Sequence, residues 1–424
     1  MPRFFRRLLL VLLLCGVGGL SAQAARITIA CSAVGMEYRL CKEGAHAWAR
    51  KTGNTVALVQ SPNLTTDRLA LYVQMLAAQS SDVDVFQIDV IWPGILAPYL
   101  LNLQPLVPTD EITRHFPVLV DANTVNGELK ALPWYTDVGL LFYRSDLLKA
   151  YNRPVPQTWQ ELQETAQLVM KGERAKGRRH FYGYVFQGKP YEGLTCNALE
   201  WIDSFHGGRI LSDSGRVTFY NTSAVRALDM AAGWVGTIAP RGVLTYGEEE
   251  SRGVFQAGHA LFMRNWPYAW ALANSRHSPV RGKVGVAALP AGGDDGHPTG
   301  TLGGWGLGVS RFSKHPELAV SLVRYLTGPD EQRRRAIVGA YNPTIPALYK
   351  DPAVLKADPF FAELPEILRH SVARPSAAAG RDYNRLSATV WEAAHDVLAG
   401  RAKAKDALSK AAQRLERILQ RSQR

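Results

Sequence analysis

Acidic and aromatic side chains recur together where apolar runs of this chain end. Asp89 and Trp92 follow an apolar strand in Gln87-Ile88-Asp89-Val90-Ile91-Trp92-Pro93-Gly94. Tyr135 and Asp137 lie in Leu132-Pro133-Trp134-Tyr135-Thr136-Asp137, and Trp266 and Tyr268 in Arg264-Asn265-Trp266-Pro267-Tyr268. Trp305 sits in the glycine-rich Gly303-Gly304-Trp305-Gly306-Leu307-Gly308. Indole and phenol rings stack on the C–H faces of a pyranose, while carboxylates and guanidiniums hydrogen-bond its hydroxyl rim. Such charge-assisted bonds contribute about 1.5–3 kcal/mol each, against about 1 for neutral ones. Taken singly, a Trp beside Pro reads as packing and an Asp after a strand as a turn; the joint pattern points to a polyhydroxylated ligand.

Motifs for other chemistry are missing. The chain has no H-E-x-x-H, no G-x-S-x-G and no Walker loop. The Gly303–Gly308 run does not match G-x-G-x-x-G, and the ten histidines have no metal-ligand spacing. No catalytic residue, metal or cofactor is expected.

The elements that would position these residues alternate in type. Arg26–Ala30 reads as a strand, Tyr38–Thr52 as a helix, Thr55–Val59 as a strand, Leu69–Gln79 as a helix and Val83–Ile88 as a strand. That β-α-β-α-β order implies a parallel sheet with helices on its faces. In open sheets of this kind, ligands sit beyond the carboxyl ends of the strands, where Asp89 falls. Thr158 with Glu161 reads as a capped helix start, and Asn221–Val235 repeats the pattern more weakly. Val284–Pro290 and Gly306–Ser310 return to strand character. Glu317–Leu326 reads as a helix closed by Thr327-Gly328-Pro329, and the chain is helical again from Leu386.

Length and composition bound the class. The 424 residues suit two lobes, and 46% hydrophobic with 20% charged residues is ordinary for a globular protein. Arg3, Arg6 and Arg7 precede the 13-residue apolar run Leu8–Leu20, too short to span a bilayer, and Ala22-Gln23-Ala24 follows. Residues 1–24 therefore read as a signal peptide cleaved after Ala24. Cys15 follows Leu14, which is not the small residue a lipid-attachment site needs. The net charge of +12 is scattered and reads as a solvated surface, with no nucleic-acid partner expected. Export permits a disulfide, and the spacing of Cys31 and Cys41 would staple a strand end to the next helix, leaving Cys196 as a buried thiol.

Three stretches carry a family resemblance. The first is Glu248-Glu249-Glu250 through Phe255 and Gly258-His259-Ala260-Leu261-Phe262-Met263 to Trp266-Pro267-Tyr268. The second is Asn126–Pro133 followed by Tyr143–Leu148, and the third is Pro156–Leu162. At these the chain resembles the extracellular solute-binding proteins of ABC transporters, of the maltose-binding type, and within them the trehalose/maltose-binding branch. The resemblance covers essentially all of the chain after the leader. It implies a periplasmic-binding-protein fold: two interwoven α/β lobes joined by a hinge, with the ligand cleft between them. The implied division is 25–138 with 286–343 in the N-lobe, and 139–285 with 344–424 in the C-lobe.

The resemblance also implies site roles. Glu37, in the loop after the first strand, would accept sugar hydroxyls, and Asn63 and Arg68 would contribute from before the third strand. Asp89 and Trp92 would line the first lobe, and Tyr135 and Asp137 the first crossing. Trp266 and Tyr268 would stack from the second lobe, Gly304 and Trp305 would close another side, and Arg374 would donate from the C-terminal part. At Asn63 the residue type departs from the branch's usual hydroxyl side chain. The implied protein is a periplasmic monomer that carries a disaccharide, trehalose or maltose, to an inner-membrane ABC permease with its cytoplasmic ATPase. Two rival readings stand beside it. Glu37, Asp89 and Asp137 could form a glycosidase acid and nucleophile, or the aromatic box could hold a polyamine cation.

Overall fold

Strand β1, Arg26–Ser32, is an alternating run whose two faces meet different partners. Ile27, Ile29 and Cys31 pack with Leu40, Ala45 and Trp48 of helix α1, Gly35–Thr52. Ala30 packs the other way, with Leu69, Tyr72 and Leu76 of helix α2, Thr65–Ala77. A strand buried on both faces needs cover from both sides, as expected for parallel pairing. Each fully buried Leu, Ile or Val side chain contributes about 1.5–3 kcal/mol. The computed structural model describes residues 25–33, 35–212, 214–293 and 295–422. The leader expected at residues 1–24 lies outside the described residues. Among them no helix is long and apolar enough to cross a membrane.

β1 pairs in parallel with β2, Thr55–Ser61, and with β3, Val85–Asp89. Strand β4, Leu132–Val138, runs through Gly139 directly into β5, Leu140–Arg144. Helix α3, Trp159–Ala175, begins on Thr158, whose Oγ1 accepts from the Glu161 N–H at 3.2 Å. The Glu161 carboxylate reaches past the cap to the Gln157 N–H. Next come β6, Tyr182–Val185; α4, Glu192–Ser204; α5, Thr222–Trp234; α6, Glu248–Gln256; and β7, Ala260–Asn265. Strands β8, Val284–Ala288, and β9, Leu302–Val309, precede α7, Pro316–Thr327, and α8, Pro329–Gly339. The chain ends in α9, Tyr383–Leu398, and α10, Ala404–Ser422.

Two sheets result. The five-stranded sheet has the order β2-β1-β3-β9-β4, with β9 antiparallel to both neighbours. The four-stranded sheet has the order β8-β5-β7-β6. Beside it lies a core of Trp159, Trp201, Trp234, Tyr184 and Phe186, which also takes Leu386 and Val390 of α9 and Leu408 and Leu415 of α10.

Several expectations are corrected. The return to the first sheet is made by β9, not near residue 286. Val284–Ala288 lies on β5 in the second sheet, antiparallel, with Val284 opposite Arg144. An apolar run such as Val-Gly-Val-Ala-Ala announces a strand but not which sheet edge it will occupy. Helix α1 begins at Gly35, so Glu37 stands in a helix's first turn rather than a loop. The stop at Thr327-Gly328-Pro329 is as expected, since α7 ends at Thr327, and Pro329 then opens α8, where its missing N–H is no loss.

The passage from β4 to β5 is tightly built. A Cβ at Gly139 would run into the Glu200 carboxylate and the Arg264 guanidinium. Glu200 and Arg264 form an ion pair with no solvent exposure, with Arg264 Nε 2.9 Å from Glu200 Oε2. Glu200 also accepts from the Thr301 N–H at 3.0 Å, and Gly139 N–H donates to Thr301 O at 3.2 Å. The segment entering β9 is thus tied to the one leaving β4. A third strand of chain joins them through Leu302 N–H to Val372 O at 2.9 Å.

Candidate functional site

Strand register places the first wall. Trp305 lies opposite Asp89 of β3 on one side and Tyr135 of β4 on the other, and Gly303 lies opposite Asp137. The three strands therefore deliver a carboxylate, an indole and a phenol to one row, with a second carboxylate beside it. Gly304 has φ +137° and a Cβ there would press on Tyr135 O, so only glycine fits this bend.

The opposite wall follows β7. Arg264 turns its guanidinium under the Trp266 ring, 4.0 Å from its centroid. Gly303 comes close to the rim of the ring, where a Cβ would lie 3.0 Å from Trp266 Cζ3. Trp266 Nε1 donates to Glu248 at 3.3 Å and Tyr268 Oη to Glu249 at 2.7 Å. Glu248, Glu249 and Glu250 occupy the first turn of α6, where the helix dipole favours negative charge.

Between the walls is a cavity of about 300 Å³. Of the residues singled out from the sequence, Glu37, Asn63, Arg68, Asp89, Tyr135, Asp137, Trp266, Tyr268, Gly304, Trp305 and Arg374 line it. Trp92 does not. It is 1% exposed and meets Trp305 and Tyr72 edge to face at 5.4 and 5.9 Å. It packs behind the cavity's indole because the chain turns into the short helix Pro93–Leu96 directly after it.

Most of the charged groups are already held. Glu37 accepts from Gln87 Nε2 and the Tyr135 hydroxyl. Arg68 donates to Pro62 O at 3.0 Å and lies 4.5 Å over the Trp305 ring. Arg374 reaches Glu192 at 2.9 Å and Asp89 at 3.4 Å. Burial lifts the Asp89 pKa to about 6, outweighing the attraction of Arg374. Burial and the nearby Glu37 and Asp89 charges push Asp137 well above the usual carboxylate range. Thr65 Oγ1, Arg68 Nη1 and Arg374 Nε are buried without a protein partner, a state native structures rarely leave uncompensated.

The cavity includes residues the sequence reading did not assign: Thr65, Lys189, Glu192, Glu248, Glu249, Glu250 and Tyr341. Glu192 is held by Arg374, Tyr383 and Ser387. The triple-Glu run at a helix start was the one available signal; the others stand at unmarked loop and helix ends. Cys31 and Cys41 are bonded, with Cα atoms 6.6 Å apart. Cys196 is free and buried, and burial pushes its thiol up to about 12. Among the described residues no group of His, Cys, Asp and Glu could hold a metal ion.

Comparison with known proteins places this geometry. Residues 39–333 match the bacterial extracellular solute-binding protein family. A probable ABC transporter-binding protein of Deinococcus radiodurans is 54% identical over 379 residues, 89% of this chain and 90% of its own. The maltose-bound T. maritima MalE3 structure superposes with a TM-score of 0.88 at 39% identity, covering 93% of this chain and all of that one. A Thermotoga lettingae solute-binding protein bound with α-D-tagatose has a TM-score of 0.82 at 23% identity over 93% of this chain and all of that one, a likeness of fold. With two interleaved sheets flanking one cavity and these relatives along nearly its whole length, the chain has the periplasmic-binding-protein fold and belongs to the bacterial extracellular solute-binding protein family.

Proposed function

We infer that this protein is the periplasmic sugar-binding component of an ABC importer. It captures a disaccharide, trehalose or maltose, between two lobes and hands it to the membrane permease without chemical change. One observation carries the reading: Trp266, Tyr268 and Trp305, each partly open, face a single cavity whose edges are Glu37, Asp89, Asp137, Arg68 and Arg374. The 39%-identical T. maritima protein binds maltose, which supports the same ligand class. About 300 Å³ is at the small end of ligand pockets and suits one compact guest.

The lobes of this reading are 25–138 with 302–343, and the segments between and after them, meeting at Gly139, Thr301 and Val372. A sugar touching both walls is bound most tightly when they close, so it shifts the population toward closure. Micromolar affinity, about −8 kcal/mol, needs only a few charge-assisted bonds and two or three stacked faces. A polyamine fits less well. Glu192 and Asp89 pair with Arg374, and Glu249 with Arg252, so part of the cavity's negative charge is already met by the protein's own cations.

Calorimetry with trehalose, maltose and sucrose tests the reading, with a thermal-shift series of polyamines beside it. Saturable one-to-one binding of a disaccharide is expected, raising the melting temperature. Stabilisation by polyamines alone would replace the sugar with a cation. Release of glucose from trehalose or maltose at a useful rate would replace carriage with hydrolysis.

A further inference from the structure

Positive charge is concentrated at the C-terminal end of this chain. From Arg401 onward, eight of 24 residues are basic and two are acidic. Helix α10 buries Leu408, Ala411, Ala412, Leu415 and Ile418 against the second core. Its outward residues Lys410, Arg414, Arg417 and Arg421 are exposed, as is Lys403 just before it. At 3.6 residues per turn the four helical residues fall on one stripe about 60° wide and about 17 Å long. Arg385 of α9 stands across a shallow groove from Arg414, Arg417 and Arg421, with Ile418 also lining it. Arg385 pairs with Asp382 and Arg414 with Glu392. Lys403, Lys410, Arg417 and Arg421 form no ion pair among the described residues.

We propose that this stripe is a docking surface for the anionic headgroups of a lipid membrane. A straight row of long cationic side chains is complementary to a plane of lipid phosphates, and each cation near such a surface adds attraction. The composition argues against a protein partner as the occupant. Protein interfaces are enriched in aromatic residues, Met and Arg and depleted in Lys; the stripe supplies Arg, but it also carries Lys403 and Lys410, and the chain from Arg401 on has no Phe, Trp, Tyr or Met to form an apolar centre. The apolar face of α10 is already used inside the protein, so no part of it inserts, and attachment is electrostatic, reversible and salt-sensitive. The groove shares no residue with the ligand cavity, so a loaded carrier could lie on the membrane with its cargo undisturbed. The proposal does not depend on which solute fills the cavity.

Vesicle co-sedimentation of the full chain tests it, using phosphatidylcholine with and without phosphatidylglycerol. Binding to the anionic vesicles at low salt, its loss at high salt and no binding to phosphatidylcholine alone are expected. The triple variant Lys410→Glu, Arg417→Glu, Arg421→Glu should lower the partition by about tenfold or more, with melting temperature and ligand binding unchanged. If that variant folds poorly, the Lys410→Gln, Arg417→Gln, Arg421→Gln protein carries the same test. Failure to bind anionic vesicles, equal binding to neutral ones, or binding insensitive to both variants overturns the proposal. So does a variant that keeps its vesicle binding but loses association with the permease, which would assign the stripe to an acidic protein face.

Discussion

Trp92 and Trp305 meet edge to face at 5.4 Å with their planes at 90°, yet only Trp305 reaches the cavity. Two indoles in contact thus stand in different surroundings, one lining the cavity and one buried, and substitution should separate them. Trp305→Ala is expected to weaken sugar binding at least tenfold, about 1.4 kcal/mol, by removing a stacking face. Trp92→Ala is expected to cost about 3–5 kcal/mol of folding stability through the void left behind. Calorimetry and thermal melts of both variants check this. Trp92→Ala with an unchanged melting temperature would show that the indole is not core.

Trp266 offers a cleaner separation of binding from stability. Its ring rests on the Arg264 guanidinium, which stays paired with Glu200 when the ring is removed. Trp266→Ala should therefore reduce sugar affinity by about tenfold or more while the ligand-free protein loses about 1 kcal/mol or less. Early unfolding of the unliganded variant would mean that the ring holds the second lobe together instead.

The Cys31–Cys41 bridge closes a short loop around two cavity residues, Ser32 and Glu37. Ser32 N–H is fixed on Gln87 Oε1 at 2.8 Å, and the same Gln87 donates to Glu37. The double variant Cys31→Ser, Cys41→Ser is expected to lose about 2–4 kcal/mol of stability. It should also bind sugar more weakly at a temperature where it remains folded, because Glu37 is less well placed. Wild-type affinity in the folded double variant would separate the bridge from the site.

Much of this was legible because periodicity and position agree. The β-branched run Arg26–Ala30 and the helical spacing of Leu40 and Trp48 are set by which faces must be buried, and burial leaves its trace in sequence; Ala47, which shares that spacing, is only half-buried, while Ala45 takes the place in the core. Asp89 could be read at a strand's carboxyl end because Val85, Phe86 and Ile88 mark the strand that it closes. Strand β9 was read only from Gly306, since Leu302–Trp305 is half glycine and its conformation depends on pairing with β3 and β4. Trp92 illustrates the limit of composition. Its neighbours matched the site pattern, but the turn after Asp89 sends it inward, and nothing local in the sequence marks that direction. Glu192 came from a helix start whose partners, Arg374, Tyr383 and Ser387, are more than 180 residues away, beyond the reach of any local pattern.

The raised pKa of Asp89 predicts a pH dependence of definite sign. Its carboxyl is raised from 3.8 to about 6, chiefly by burial, with Arg374 opposing and Glu192 adding to the rise. A carboxyl raised by folding stabilises the native state below its unfolded pKa, and that contribution is lost as pH climbs through the folded value. For Asp89 this amounts to roughly 3 kcal/mol lost between about pH 4 and pH 6. Sugar binding runs in the opposite sense. A ligand hydroxyl that donates to Asp89 needs the ionised form, so affinity should be level above about pH 7 and fall, by up to tenfold per unit, below about pH 6. Asp89→Asn keeps an acceptor oxygen but cannot titrate. It should weaken binding at neutral pH by roughly 1–3 kcal/mol and abolish the step near pH 6. Affinity measured by calorimetry from pH 5 to pH 8 decides it: a flat wild-type profile, or the same step persisting in Asp89→Asn, removes Asp89 from contact with the ligand.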